Sequence, residues 1–420
     1  MRKIVCILVA VGFLLSVGQR QDAPSGRVSV LAVGDNMVHG AVYADAARCA
    51  ASIGVTAEEG TAYFFDGMYG PVADMIGAAD LSFVNQEGPV TDRVPSGYPR
   101  FNAPLSLVGA LRRVGFDVVN LANNHALDMD VGRYAGGLAD TRAAFACQGL
   151  LPIGTYGDAT EQAIIPVVER NGVTVAFLAY TCGTNGISTP RNASYGVFRF
   201  DHALVAEQLA RARELADFTV VSVHWGAEGE RRPSDEQREM ANYLAANGAD
   251  VILGHHPHVL QPIEWIERAD GGRTLVAYSL GNFLSAMLDP QNMVGGMLTF
   301  DLVSDEKGHT VENVSFRPTV CHYERAVSAD KDGKTLKTRW GLCVYPMDAY
   351  TEALASRHGA ALYTPFTRDT LVSCVEAVIA PEFLADGYAL ATHAEEQLLE
   401  DGQLHYRRIL PGVDQRNGSV

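Results

Sequence analysis

The chain has 420 residues, 47% hydrophobic and 20% charged, with a formal net charge of -16 at pH 7. That is the composition of a folded protein able to bury a large core, as one large domain with an appendage or as two domains. The acidic balance excludes general nucleic-acid binding, which needs a basic face, and any anionic ligand must be drawn by a local positive centre such as a bound metal.

In chain order, Arg2 and Lys3 precede an apolar run from Ile4 to Val17, with the small residues Ser16 and Gly18 at its end. Residues 1–20 therefore read as a secretory signal peptide, or as an uncleaved N-terminal anchor, since the run is short for a membrane-spanning helix. Cys6 lies inside the run, away from a lipid-attachment position. The expected location is exported: periplasmic, cell-surface or secreted, or held at the membrane by this segment. Cys49, Cys147, Cys182, Cys321, Cys343 and Cys374 fit either disulfides or buried thiols, and the absence of a C-x-x-C pair argues against a thiolate zinc site.

From residue 28 a pattern recurs in which a short apolar run ends in polar residues: VSVLAVGDNMVH, DLSFVNQEGPV, FDVVNLANNHALD, FTVVSVHWGAE, DVILGHHPHVLQ and TLVAYSLGNF. Each reads as a buried strand delivering a loop. Helical patterns fall between them. Leu105, Val108, Leu111 and Val114 form an apolar stripe that stops at Gly115. PSDEQREMANYLAANG carries a capping box, with Ser234 as N-cap and Gln237 three residues on, closed by Asn247 and Gly248. Alternating helix and strand predicts an α/β layer architecture, in which strand-end loops converge on one crevice.

Beyond about residue 300 the pattern weakens, so the main domain is set at 28–300 and residues 301–420 as an extension packing on or following it. FRPTV and GLCVYP read as strands, with a polar stretch and a turn at Asp332 and Gly333 between them. TPFTRDTLVSCVEAV reads as helical, and the last dozen residues are polar. There is no internal repeat.

The strand-end loops carry Asp35 and His39; Asn85 and Glu87; Asn123, Asn124, His125 and Asp128; His224; and His255, His256 and His258. Carboxylate, carboxamide and imidazole make a mixed ligand set suited to Mn, Fe or Zn. Each residue alone has a plainer reading: Asp35 in a turn, Glu87 as a solvated loop acid, Asn123 and Asn124 in a tight turn, His224 in the core. On an extended segment His256 and His258 face one side and His255 the other.

The ordered motifs GDNM at 34–37, NQEGPVT at 85–91, ANNHALD at 122–128, HWGAE at 224–228, GHHPHVLQ at 254–261 and SLGNF at 279–283 resemble the CapA family of poly-gamma-glutamate capsule biosynthesis proteins. That family is a branch of the calcineurin-like metallophosphoesterase superfamily, and the resemblance spans roughly residues 28–300. It implies a four-layer α/β fold, two mixed β-sheets in a sandwich flanked by helices, with two divalent metal ions at one edge. By the resemblance Asp35 and His258 hold one ion, Asn124, His224 and His256 the other, and Glu87 bridges them. His125 then protonates the leaving group with Asp128 orienting it, and His39, Asn85, Asn123 and Asn282 are candidates for further ligand or substrate contacts. The chain departs from the wider superfamily: Asp35 is followed by Asn36 and Met37 where a D-x-H histidine is expected, Glu87 stands where an aspartate bridges, and no acid follows His125 directly.

The function implied is a metal-dependent hydrolase acting on an anionic polymer such as poly-gamma-glutamate, or on a phosphoester, beside membrane-bound capsule synthesis or export proteins. The alternative is a non-catalytic binding or assembly subunit on the same fold. Arg100, Arg133, Arg231 and Arg232 read either as clamps for carboxylate or phosphate or as solvated surface residues.

Overall fold

The computed structural model describes residues 26–132, 135–329, 335–362 and 364–388. Residues 1–20, expected to direct export, Arg133, the expected turn at Asp332 and Gly333 and the polar last dozen residues lie outside the described residues. Among the described residues no helix is long and apolar enough to cross a membrane.

Two mixed sheets form the body. The larger runs Thr335–Pro346, Gly308–Ala329, Val294–Asp305, Gly26–Met37, Leu81–Glu87, Val118–Asn120, Leu151–Ile153, with Asn282–Leu284 paired to Gly26–Met37. The smaller runs Leu260–Glu267, Arg273–Leu280, Val251–His255, Phe218–His224, Val173–Thr181, Val167–Arg170. In each, the central strands are parallel. Their C-terminal ends therefore point the same way.

The apolar runs are continuous because these strands are covered on both faces. On the smaller sheet Val175, Phe177 and Ala179 join the core shared with the larger sheet, whereas Ala176, Leu178 and Tyr180 pack outward. They meet Val205, Leu209 and Ala212 of the helix His202–Leu215 and Ala241 and Leu244 of the helix Asp235–Ala246. The helices Gly40–Ser52, Asp66–Ala78 and Ser106–Val114 pack on the larger sheet, so helix, sheet, sheet and helix make four layers. The capping box forms as expected, Ser234 accepting from the Gln237 N–H and Gln237 returning to Ser234. The stripe before Gly115 differs by one member: Leu105 precedes the helix and is exposed, and Leu107 takes its place in the core.

The chain beyond residue 300 continues the larger sheet. Strands Gly308–Ala329 and Thr335–Pro346 form its antiparallel edge, and Arg368–Glu376 is helical. Cys182, Cys321, Cys343 and Cys374 are free thiols.

At the edge opposite the strand C-termini, one device recurs four times. Asp80, Asp117, Asp217 and Asp250 each immediately precede a parallel strand, and each accepts a backbone N–H from the neighbouring strand. The donors are Ser29 (2.8 Å), Ser82 (3.1 Å), Thr174 (2.9 Å) and Thr219 (2.8 Å). The N–H groups of Asp117, Asp217 and Asp250 return to the carbonyls of Ser82, Thr174 and Thr219. A strand-start N–H that its ladder leaves unpaired is thereby satisfied, and the register is pinned. Asp217→Ala is expected to cost about 1–3 kcal/mol in urea unfolding, by stranding the Thr174 N–H and hydroxyl.

His322 and His358 form a buried pair with ring centroids 5.3 Å apart. His358 accepts from the Ala360 N–H at Nδ1 and donates to the Cys321 carbonyl through Nε2. Burial pushes His358 down to about 4 and, with His358 and Arg357 nearby, holds His322 well below the usual range. Both folded values lie below the unfolded one near 6.5, so the unfolded chain binds the extra protons, and stability is full above pH 6.5 and falls as the pH drops. In metal-free protein, His358→Gln should flatten the slope of unfolding free energy against pH between about 6 and 4.5 by about 1.4 kcal/mol per pH unit.

Candidate metal centre

The strand ends come together by close backbone approach. A Cβ on Gly34 would lie 1.9 Å from the Gly281 carbonyl oxygen, and the pairing of Gly26–Met37 with Leu81–Glu87 shifts register between Val33 and Asp35. Glycine is required there, and the irregularity turns Asp35 toward the other sheet. Asp35 and Glu87 come from the larger sheet, His224 and the 255–258 loop from the smaller, and Asn124 with His125 from the loop after Val118–Asn120.

These residues share one buried site. The ligand atoms of Glu87, His256 and His258 lie within 4.8 Å of one another, as do those of Asp35, Glu87 and His224. Glu87 Oε1 is 3.6 Å from His258 Nε2 and 3.8 Å from His224 Nε2, and Asn124 Oδ1 is 3.0 Å from His224 Nε2. Neither carboxylate oxygen of Glu87 has a hydrogen-bond donor, and His256 Nδ1 and His224 Nδ1 also lack partners. A buried carboxylate without donors is costly unless a cation faces it, and imidazole, carboxylate and carboxamide oxygen are the donors expected of a first-row divalent metal site. The residues present therefore fit a divalent metal.

The electrostatics follow from packing. Burial pushes Glu87 up to about 8. For Asp35, burial raises the carboxyl, but contacts with His255 and His258 outweigh it and hold it well below the usual range. Burial lowers His258, yet Glu87 and Asp35 overcome this and bring it to about 9. His224 is held well below its ordinary value by burial and by the neighbouring His256.

Beside this cluster, His125 Nδ1 lies 2.7 Å from Asp128 Oδ2, which also accepts the Phe101 N–H at 2.8 Å. The carboxylate fixes the proton on Nδ1 and leaves Nε2 as the atom available to a substrate. Burial lowers His125, but Asp128 and Glu87 raise it further, for a net upward shift. The Phe101 ring stands edge-on to it at 4.7 Å.

Other expectations need adjustment. The 255–258 segment is not extended: His256 has φ 97° and His258 φ 57°, so the two rings reach one site through left-handed turns rather than by strand alternation. Nor does His255 face away. It is fully buried, stacks on Phe83 and brings Nδ1 to 3.3 Å from Asp35 Oδ1. His39 lies in neither cluster; its Nδ1 accepts the Ala286 N–H, and burial brings it to about 3. Asn85 donates to Asp35, Asn123 ties the Gly88 and His125 N–H groups to the Gln86 carbonyl, and Asn282 holds His258. Arg231 is bonded to the Cys374 carbonyl, and Arg100 and Arg232 are exposed.

Two residues escaped the sequence reading. Asn185, at φ 50°, accepts from Asn124 Nδ2 at 3.4 Å and places its own Nδ2 3.4 Å from His125 Nδ1. Asn120 donates to Asn85. The endings FVN and VVN of adjacent strands are the signal that could have found Asn120.

Comparison with known proteins returns one family profile, Bacterial capsule synthesis protein PGA_cap, over residues 29–287. The chain is 35% identical over 227 residues to PGA biosynthesis protein CapA of Bacillus subtilis, covering 52% of this chain and 57% of that protein. It is 31% identical over 232 residues to Capsule biosynthesis protein CapA of Bacillus anthracis, covering 53% and 54%. The chain thus spans only a little over half the length of these curated relatives. Among solved structures, calcineurin-like phosphoesterase YfkN of Bacillus subtilis superposes with a TM-score of 0.38 at 14% identity, covering 70% of this chain and 91% of that one.

If the cluster holds metal, Zn2+ or Mn2+ at 100 times its dissociation constant should stabilise the protein by about 2.7 kcal/mol, reversibly with chelator. Glu87→Gln should fold but lose this response in thermal unfolding.

Proposed function

Because the chain belongs to the Bacterial capsule synthesis protein PGA_cap family, we propose that it is an exported, metal-dependent hydrolase acting on an anionic cell-envelope polymer of the polyglutamate type. It would work beside membrane-bound synthesis or export proteins. The observation that carries this reading is the donorless Glu87 carboxylate, ringed by His224, His256 and His258 and set next to the His125–Asp128 pair. The basic residues before the apolar run at Ile4–Val17 support export.

Asp35, Glu87, Asn124, His224, His256 and His258 build the metal centre, for two divalent ions of Mn, Fe or Zn. When bound, the metal supplies Lewis-acid polarisation of the scissile group and acidifies a water near neutral pH. Asn124 contributes a neutral carboxamide, which leaves net positive charge at the centre for an anionic substrate. His125 delivers a proton from Nε2 to the leaving oxygen or nitrogen, while Asp128 keeps Nδ1 protonated and stabilises the ring. Phe101 packs edge-on against the His125 ring. Asn185 accepts from Asn124 Nδ2 at 3.4 Å and so orients that carboxamide.

The test uses the metal-loaded full chain with poly-gamma-glutamate and, separately, a chromogenic phosphodiester. His125→Ala should lower metal-stimulated hydrolysis by roughly 10²–10⁴-fold with metal content unchanged. No metal-stimulated hydrolysis of either substrate by the wild type would refute the hydrolase reading. Undiminished biological activity in the variant would favour a binding or assembly subunit.

A further inference from the structure

Asn185 holds an amide NH2 group beside His125, and the partners of its oxygen fix which way that group points. Asn124 Oδ1 lies 3.0 Å from His224 Nε2. Whether that nitrogen donates or shares a metal with Asn124, the carboxamide presents oxygen to it. Asn124 Nδ2 is then turned to Asn185 Oδ1, at 3.4 Å, and an NH2 group can only donate. Asn185 therefore gives its oxygen to Asn124 and its Nδ2 to the side of His125. We propose that Asn185 contacts the substrate: its Nδ2–H donates to the oxygen of the scissile carbonyl or phosphoryl group that gains negative charge during cleavage.

Among the described residues Nδ2 has no good acceptor. It lies 3.4 Å from His125 Nδ1 and 3.5 Å from His125 Nε2. In the ring plane, a position that close to both nitrogens would overlap the carbon between them, so the amide stands over the ring face. Nδ1 has no lone pair to offer, because it carries the proton held by Asp128 at 2.7 Å. One amide hydrogen at most can rest on the π face, which is a weak contact. The other is left for the cleft, and Asn185 keeps clear of the in-plane direction in which Nε2 meets the leaving atom.

The turn that carries Asn185 holds it in place. The Ile187 N–H donates to the Thr184 carbonyl at 2.8 Å, and Asn185 and Gly186 have φ of 50° and 74°. Positive φ at both central residues is what a type I′ turn requires, and Asn-Gly is the pair that favours it. Thr184 is buried, and its Oγ1 donates to the Ile187 carbonyl at 2.6 Å. At the base of the loop the Cys182 N–H donates to the His224 carbonyl at 3.0 Å, which ties the turn to the strand end that supplies His224. On the outer side Asn185 and Gly186 are exposed, and a Cβ at Gly183 or Gly186 would meet nothing within 4 Å. A fixed donor that a substrate can reach needs no reorganisation when charge forms in front of it. In hydrolysis the water oxygen bonds to the carbonyl carbon or phosphorus, the bond to the leaving nitrogen or oxygen breaks, and His125 Nε2 gives that atom its proton. The negative charge that builds on the remaining oxygen is what the Asn185 Nδ2–H meets.

This inference rests on the hydrolase reading, and the experiment separates the two. Metal-loaded full-length wild type, Asn185→Asp and Asn185→Gly are compared in metal content and in hydrolysis of poly-gamma-glutamate and of a chromogenic phosphodiester. Both replacements suit the positive φ of the turn. Asp keeps an acceptor for Asn124 and loses the donor, whereas Gly loses both without adding charge. Each should lower kcat by roughly 10²–10³-fold on whichever substrate the wild type cleaves, with metal content and KM little changed. A loss confined to Asn185→Gly would make Asn185 a support for Asn124 only, and a loss confined to Asn185→Asp would be an effect of the added charge. Either result, or no loss in both variants, overturns the proposal and leaves the hydrolase reading standing. A wild type that cleaves neither substrate overturns that reading and the proposal with it. A second measurement does not depend on turnover: crystals of Zn-loaded wild type with inorganic phosphate should place a phosphate oxygen about 2.7–3.2 Å from Asn185 Nδ2. Phosphate bound at the metal centre with no oxygen at that range from Asn185 refutes the contact.

Discussion

A buried carboxylate with no hydrogen-bond donor, Glu87, is the constraint around which the functional edge is organised. Protein interiors do not tolerate such a group for stability alone, because desolvation without a partner costs several kcal/mol. The surroundings do little to relieve it: the nearest imidazole nitrogens are 3.6 and 3.8 Å away, too far for good hydrogen bonds but at a spacing that leaves room for a ligand between them. The two-sheet sandwich makes this arrangement possible. Glu87 ends a strand of one sheet, the histidines end strands of the other, and parallel strands bring all those ends to the same rim.

The opposite rim has the complementary property. There the four aspartates preceding Leu81, Val118, Phe218 and Val251 find backbone donors on the adjacent strands, so every carboxylate is used to hold register. The device appears twice in each sheet, once in every step from one parallel strand to the next along Gly26–Met37, Leu81–Glu87, Val118–Asn120 and along Val173–Thr181, Phe218–His224, Val251–His255. One edge uses its carboxylates to hold register, while at the other Glu87 is left without a donor. Such a division suits a fold in which binding lies at strand C-termini and stability is anchored at strand N-termini.

Much of this was legible in the sequence, and for identifiable reasons. Apolar runs broken by Asp35, Glu87, Asn124, His224 and His256 announced strands that end at a site, because strands buried on both faces cannot place such residues earlier. The capping box at Ser234 and Gln237 is a local device and was equally readable. What was not legible depends on tertiary geometry. Whether Leu105 or Leu107 enters the core turns on where the helix starts, and nothing local at Ser106 marks it. Asn120 and Asn185 look like loop residues until a second strand end is set beside them. The aspartates before the strands stand in plain view in DLSFV, FDVV and DVIL, but a lone aspartate at a strand start reads as loop polarity until the neighbouring N–H is known.

The histidine loop shows why local pattern alone could mislead. Alternation along an extended chain would have placed His256 and His258 together and His255 apart. Instead both take left-handed backbone conformations, an arrangement that costs on the order of 1 kcal/mol or more per residue and persists only where the surroundings over-determine it. Those surroundings are specific: the Gly229 N–H on the Pro257 carbonyl, Asn282 and Asn292 on the His258 carbonyl, and the His256 N–H on Asp35. The turn frees His255 to approach Asp35 from within the core while His256 and His258 approach Glu87. One of the bonds that offset the strain, the His256 N–H on Asp35, also gives that carboxylate a donor, while Glu87, which faces the His256 and His258 rings, has none.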